Sequence, residues 1–378
     1  MFLGFIFPLI IYIFPLESVK ILISYPDNNI YILKSNTFIM DQMGYVMSGL
    51  SLLLVLPAIL LFMTFLDMTS SGVDGNSQLM ESGGVLNTAK DLEGDIQAAG
   101  KQVFQYEALN VVKSGIPLSN SRKQIKNDMQ IKMDDITSKY RENEKMEVEC
   151  NITSVGNSVD PFAVEVNSSI KVKRDNITHH EFVTEEISII DPQYPIANPL
   201  PFIKCRNFGD PKVINNRIEF GSSLTNYLES RGVENAFAYE NSSTAYIIKK
   251  CPYDPYIMHG QHDYDTLKNC IDNGYFHESS DGSCFLCRLE GKGICPHYGM
   301  ETYITPKELT NNSNNSNTSS NFTFNQAPSS IDHVIFNDTN GKIGTYQGYK
   351  LIYNSDYSNP LIIFLDNSHR QKYGFPMV

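Results

Sequence analysis

The sequence predicts an α+β fold class: an N-terminal transmembrane helix continuing into a helical stalk, a small antiparallel β-meander, and a cysteine-rich α+β C-terminal domain. Three observations carry this. Gln42 to Leu66 is an uncharged run of 25 residues. Beyond Asn143 the apolar period changes from helical to two. Six of the seven cysteines fall in the C-terminal half, behind a proline-rich stretch.

The elements follow in order. Residues 1–39 open with an apolar stretch, Met1 to Leu16, that is short for a span, holds two prolines and lacks a basic n-region. It is either a second membrane-associated segment or an over-extended gene start, with the natural chain beginning at Met40. Residues 40–66 form a short polar leader and the membrane helix, because about 20 apolar residues cross a hydrocarbon core of roughly 30 Å. Residues 67–145 read as the stalk. Thr69 to Gly84 is rich in Ser and Gly, Leu92, Ile96, Val103 and Leu109 recur near helical spacing, and Gly115 with Pro117 breaks the pattern. A second helix then carries Ile125, Met129, Met133, Ile136 and Tyr140 at steps of three and four.

Residues 146–190 alternate apolar and polar side chains in three runs, Met146 to Ile152, Phe162 to Val172 and Phe182 to Ile189. They predict an antiparallel sheet with one wet face and one face buried against the preceding helix. Residues 191–202 hold four prolines between Asp191 and Pro201, the composition of a stiff linker. In the C-terminal domain, 203–378, the runs His333 to Phe336, Tyr349 to Tyr353 and Leu361 to Leu365 look strand-like, and the Asn/Ser/Thr tract from Asn311 to Asn321 is too polar to pack.

A net charge of −12 over 378 residues argues against nucleic acid as a partner, because phosphate binding needs clustered Lys/Arg and the few basic runs, such as Lys171 to Arg174, alternate along a predicted strand. Asn-x-Ser/Thr acceptors occur at Asn151, Asn167, Asn176, Asn241, Asn311, Asn314, Asn317, Asn321 and Asn337, all after the apolar run. They predict a single-pass protein of the cell membrane with its C-terminal body outside and glycosylated.

The densest chemical signal is Cys284-Phe-Leu-Cys287 followed by Cys295 and His297. A Cys-x-x-Cys knuckle with a third Cys and a His has the ligands of a tetrahedral zinc shell. Equally, Cys205, Cys251, Cys270, Cys284, Cys287 and Cys295 are an even set, as in disulfide-stapled domains outside the membrane. Both readings stay open. Cys150 lies apart in a strand and reads as a buried thiol. His259, His262 and His277 are further candidate ligands, although loop histidines are more often structural. No P-loop, dinucleotide fingerprint, Gly-x-Ser-x-Gly or His-Glu-x-x-His is present. No catalytic residue is therefore assigned, and the chain is not expected to be an enzyme.

Met40-Asp-Gln-Met-Gly44, followed by Tyr45 to Leu66 and the amphipathic stretch to Tyr140, resembles type IV pilin-like archaeal envelope proteins. The resemblance implies cleavage between Gly44 and Tyr45, a helix that anchors or packs with other copies or pilin-like subunits, and a β-sheet head. Here no Lys or Arg stands between Met40 and Gly44, and Gly49 stands where bacterial pilins carry Glu. The second half, through Tyr253-Asp-Pro-Tyr256, Asn273 to Lys292, Cys295 to Gly299 and Asp366 to Gly374, is similar to a family of cell-surface proteins of methanogenic archaea, which implies no reaction. The expected function is a bilayer-anchored extracellular envelope protein with a structural or binding role. The alternative is a zinc receptor or metal-dependent enzyme that uses the Cys/His cluster.

Overall fold

The structure, a computed structural model, describes residues 44–144, 146–233, 236–261, 264–306, 329–337, 350–352 and 363–377. The upstream segment 1–39, the leader up to residue 43, His262 and the tract holding Asn311, Asn314, Asn317 and Asn321 lie outside them. The architecture is α+β with several small sheets, and the chain divides into two units, Met1–Gln78 and Leu79–Val378.

In the first unit the described element is the beginning of helix α1 (Gly44–Ser114). The apolar run 44–66 is helical, Pro57 included, and of its side chains those of Val55 and residues 57–64 are described. They are exposed, Leu61 at 70% and Phe62 at 62%. Among the described residues, no helix is long and apolar enough to cross a membrane.

In the second unit, residues 79–114 of α1 and helix α2 (Ser121–Glu144) do not stand apart as a stalk. Val85, Ala89, Leu92, Ile96, Ala99 and Val103 repeat at alternating steps of four and three and are all buried. So are Ile125, Met129 and Met133 of α2. They share a core with the inner face of an antiparallel sheet of β1 (Glu147–Asn157), β2 (Ala163–Arg174) and β3 (Ile177–Ser188). Val148, Cys150 and Ile152 alternate inward along β1 until the pairing with β2 shifts register between Ile152 and Ser154, after which Val155 points inward. An extra residue resets the period of two, so the strand keeps its apolar side on the core past the bulge.

The proline-rich residues 191–202 belong to this same unit rather than separating two. Ile196 and Ala197 are buried, Ala197 bridges Ile247, and helix α3 (Leu200–Cys205) starts inside the stretch with Pro201 in its first turn. Proline is tolerated there because its missing N–H has no helical partner to lose.

The remainder builds helix α4 (Ser223–Ser230) and a seven-stranded sheet. Its order is β11 (Lys350–Ile352), β12 (Ile363–Leu365), β10 (Ser329–Ile331), β9 (Tyr303–Thr305), β6 (Ser243–Ala245), β5 (Arg217–Glu219) and β4 (Lys212–Ile214). The runs around 350 and 363 are strands as expected; His333 to Phe336 is not. It forms helix α8 (Asp332–Asn337) directly after β10. Four residues, three of them apolar, are too few for their period to separate a strand from a buried helical turn. A separate two-stranded sheet pairs β7 (His277–Ser279) with β8 (Gly299–Glu301), His277 opposite Glu301.

Candidate metal centres

All seven cysteines are free thiols, and five of them converge with histidines in two groups. The first is Cys251, His259, Cys270 and His277, all buried. Cys251 is placed by its backbone N–H donating to the Phe276 carbonyl, 2.8 Å away. His259 sits in α5 (Met258–Gln261), Cys270 in α6 (Tyr264–Asn273), and His277 opens β7. Helix α6 turns Leu267, Cys270 and Ile271 inward, so its apolar face delivers the thiol.

Cys251 Sγ lies 3.3 Å from Cys270 Sγ and 3.5 Å from His259 Nε2, and Cys270 Sγ lies 3.3 Å from the same nitrogen. A disulfide needs sulfurs about 2.05 Å apart. Zinc bonds of about 2.3 Å to sulfur and about 2.0–2.1 Å to nitrogen place tetrahedral sulfurs about 3.8 Å apart and sulfur and nitrogen about 3.6 Å apart, so the S···N separations are close to a zinc shell and the S···S separation lies between a disulfide bond and that spacing. The Tyr253 N–H donates to Cys251 Sγ at 3.4 Å, as backbone amides do toward thiolates. His277 is wholly buried, with no hydrogen bond to either ring nitrogen. A buried imidazole without a partner costs free energy, and a metal would remove that cost.

Electrostatics prepare the group for a cation. A hydrogen bond from Cys270 holds Cys251 down at about 3 against the opposing effect of burial, while the same bond and burial push Cys270 up. The two thiols thus share one proton. Burial lowers His277, leaving it neutral and able to donate a lone pair.

The second group is Cys284, Cys287, Cys295 and His297. Cys284 is the N-cap of the short helix α7 (Phe285–Leu289), and Cys287 lies one turn on. The two thiols are 3.8 and 3.6 Å from His297 Nδ1. The Cys284 N–H donates to Cys295 Sγ at 3.4 Å. Hydrogen bonds from Cys284 and Cys287 depress Cys295, and Cys287 is raised in exchange by Cys284 and Cys295. The knuckle requires glycine at two close approaches. A Cβ on Gly299 would fall 2.6 Å from the Ser283 carbonyl carbon, and one on Gly282 would fall 2.3 Å from the Met300 carbonyl oxygen.

Arg288, inside the knuckle helix, is fully buried and pairs with the equally buried Asp332 at 2.7 Å. It also donates to the carbonyls of Met300 at 2.5 Å and Ser283 at 3.2 Å, and stacks over Phe276. One side chain thereby ties the second group to β8, α8 and the strand end beside the first group.

The sequence-predicted ligands Cys284, Cys287, Cys295 and His297 do come together, and Cys251 and Cys270 form a separate centre. His259 and His277 are ligand candidates in that centre, where loop histidines were expected to be structural. The spacing Cys251, His259, Cys270, His277 follows no knuckle repeat, so only the fold reveals it. Cys205, the remaining disulfide candidate, is buried beside Leu200 and Phe202, apart from both groups, with its thiol raised by burial. Cys150 is a buried core thiol pushed up to about 12, chiefly by burial. Of the described acceptor asparagines, Asn151, Asn176 and Asn241 are exposed, whereas Asn337 and Asn167 are half-buried, and the amide of Asn167 is engaged by Ser154, Glu165 and Thr184. No protein-family model, curated protein or solved structure matches the chain.

Proposed function

We propose that the chain is a membrane-anchored envelope protein whose C-terminal body is a scaffold stapled by two structural zinc ions. The carrying observation is the pair of four-ligand groups, one with two cysteines and two histidines and one with three cysteines and one histidine. Four protein ligands close a zinc shell, which suits structure rather than catalysis. The apolar helical run 44–66, with its exposed Leu60, Leu61, Phe62 and Met63, supports a lipid contact. The acceptor asparagines support an outward body, and the pilin-like leader a helix that packs with other copies. The role is structural or interactive.

The test is native mass spectrometry of the full-length protein extracted from membranes in detergent, combined with thiol alkylation. At least two zinc ions per chain, with Cys251, Cys270, Cys284, Cys287 and Cys295 alkylated only after chelation, is the expected result. Alkylation that requires a reductant and not a chelator, or recovery in the soluble fraction without detergent, overturns the proposal.

A further inference from the structure

A third convergence contains no sulfur. Glu301 ends β8, His333 lies in α8, and His369 lies in α9 (Asn367–Tyr373). Glu301 is fully buried, and His333 and His369 are 4% and 3% exposed. Glu301 Oε2 stands 3.2 Å from His369 Nε2 and 3.7 Å from His333 Nδ1. None of these three atoms makes a hydrogen bond. Both imidazole nitrogens lie within ion-pair distance of the carboxylate oxygen, and a buried set of this kind is costly unless protons or a cation sit among them.

The other polar atoms of Glu301 and His369 are held. Glu301 Oε1 accepts from Lys372 at 2.7 Å and from the Tyr373 hydroxyl at 2.6 Å, which leaves Oε2 as the inward-facing oxygen. The Asp366 carboxylate lies 2.7 Å from His369 Nδ1 and caps α9 by accepting the His369 backbone N–H at 2.9 Å. A carboxylate behind a ligating histidine fixes its tautomer and ring orientation, and a bonded second oxygen fixes a ligating carboxylate. His369 and Lys372 also line a cavity of about 370 Å³ with Tyr256, Glu278, Asp281 and Ser368.

We infer that Glu301 Oε2, His333 Nδ1 and His369 Nε2 bind a divalent first-row metal ion, and that this third centre, unlike the two cysteine groups, keeps a coordination position open to water or a small anion. Two histidines and one carboxylate leave such positions in zinc and non-haem iron sites. Asp366 is a positioning residue, acting through His369.

Cobalt(II) is the probe, titrated into full-length, detergent-solubilised, metal-free protein under reducing conditions. The cysteine centres report through thiolate-to-cobalt charge-transfer absorption, so their failure is read separately. The expected result is a third equivalent that adds ligand-field absorption without charge transfer and whose spectrum shifts on adding azide. His333→Ala removes the third equivalent and leaves the charge-transfer bands. Asp366→Asn, which can still cap α9, weakens the third site by about 10- to 100-fold. Saturation at two equivalents, a third equivalent retained in both His333→Ala and Glu301→Gln, or a third site blind to azide overturns the inference.

Discussion

Arg288 shows how much a single side chain decides here. A buried guanidinium is tolerated only when paired and hydrogen-bonded, and Arg288 has Asp332 and two backbone carbonyls. Arg288→Met leaves Asp332 as an uncompensated buried charge and is expected to destabilise by about 3–5 kcal/mol in denaturant unfolding; a loss within about 0.5 kcal/mol would mean the pair is not what closes this part of the core. Glu107 of α1, 4% exposed, has its carboxyl raised to about 7 by burial and by the neighbouring Asp128. Its folded value exceeds the ordinary one of 4.5, so its contribution is fully present below about 4.5 and is lost as pH rises through about 7. Glu107→Gln should therefore raise stability by about 1–3 kcal/mol at pH 8, with the gain vanishing near pH 4.5. Melting curves at the two pH values check this, and an equal difference at both would refute it. Neither residue stood out in the sequence, because an Arg or Glu in a polar stretch reads as surface until partners distant in the chain are known.

At the scale of elements, the sequence was most readable where one period runs long. The stripes of α1 and α2 and the alternation of β1 and β2 put their apolar side on the core, because a helix and a half-wet sheet leave unmistakable periods; in the third run only the end follows, with Ile187 and Ile189 buried and Phe182 78% exposed. Short elements were opaque: α8 looked like a strand, and the proline-rich stretch looked like a linker although its apolar residues belong to the core. The knuckle was legible as residues but not as a tight fit, since the need for Gly299 comes from the approach of β8 to Ser283 and Cys284. Gly299→Ala is expected to abolish metal binding at the second group while the first still binds. Cobalt(II) charge-transfer absorption, which reads only the cysteine centres, tests it; bands of both centres retained would show that the backbone yields at little cost.

Across the whole C-terminal body, the two-stranded sheet joins everything. β7 starts with the first centre's His277, β8 ends with Glu301 of the third directly opposite, and the second centre's His297 precedes β8 by two residues. Tyr373 continues the link, with its ring 5.1 Å from that of His277 and its hydroxyl on Glu301. Small three-residue strands bury little apolar surface, and on the proposed reading bound metal ions would supply what the sheet alone lacks. Chelation at neutral pH should accordingly lower the melting temperature and loosen hydrogen exchange across β7 and β8, with the β1 to β3 meander still protected. Uniform exchange loss would place the metals elsewhere. The cysteine pattern announced a stapled domain, and only the three-dimensional arrangement, with sulfurs 3.3 Å apart and histidines between the chain segments, separates metal from disulfide.

The most direct test of the twin cysteine centres is zinc K-edge X-ray absorption on the full-length protein loaded with two equivalents of zinc. The account predicts a first shell dominated by sulfur at about 2.3 Å with imidazole nitrogen at about 2.0–2.1 Å. A shell of oxygen and nitrogen alone, with the thiols outside it, would contradict it.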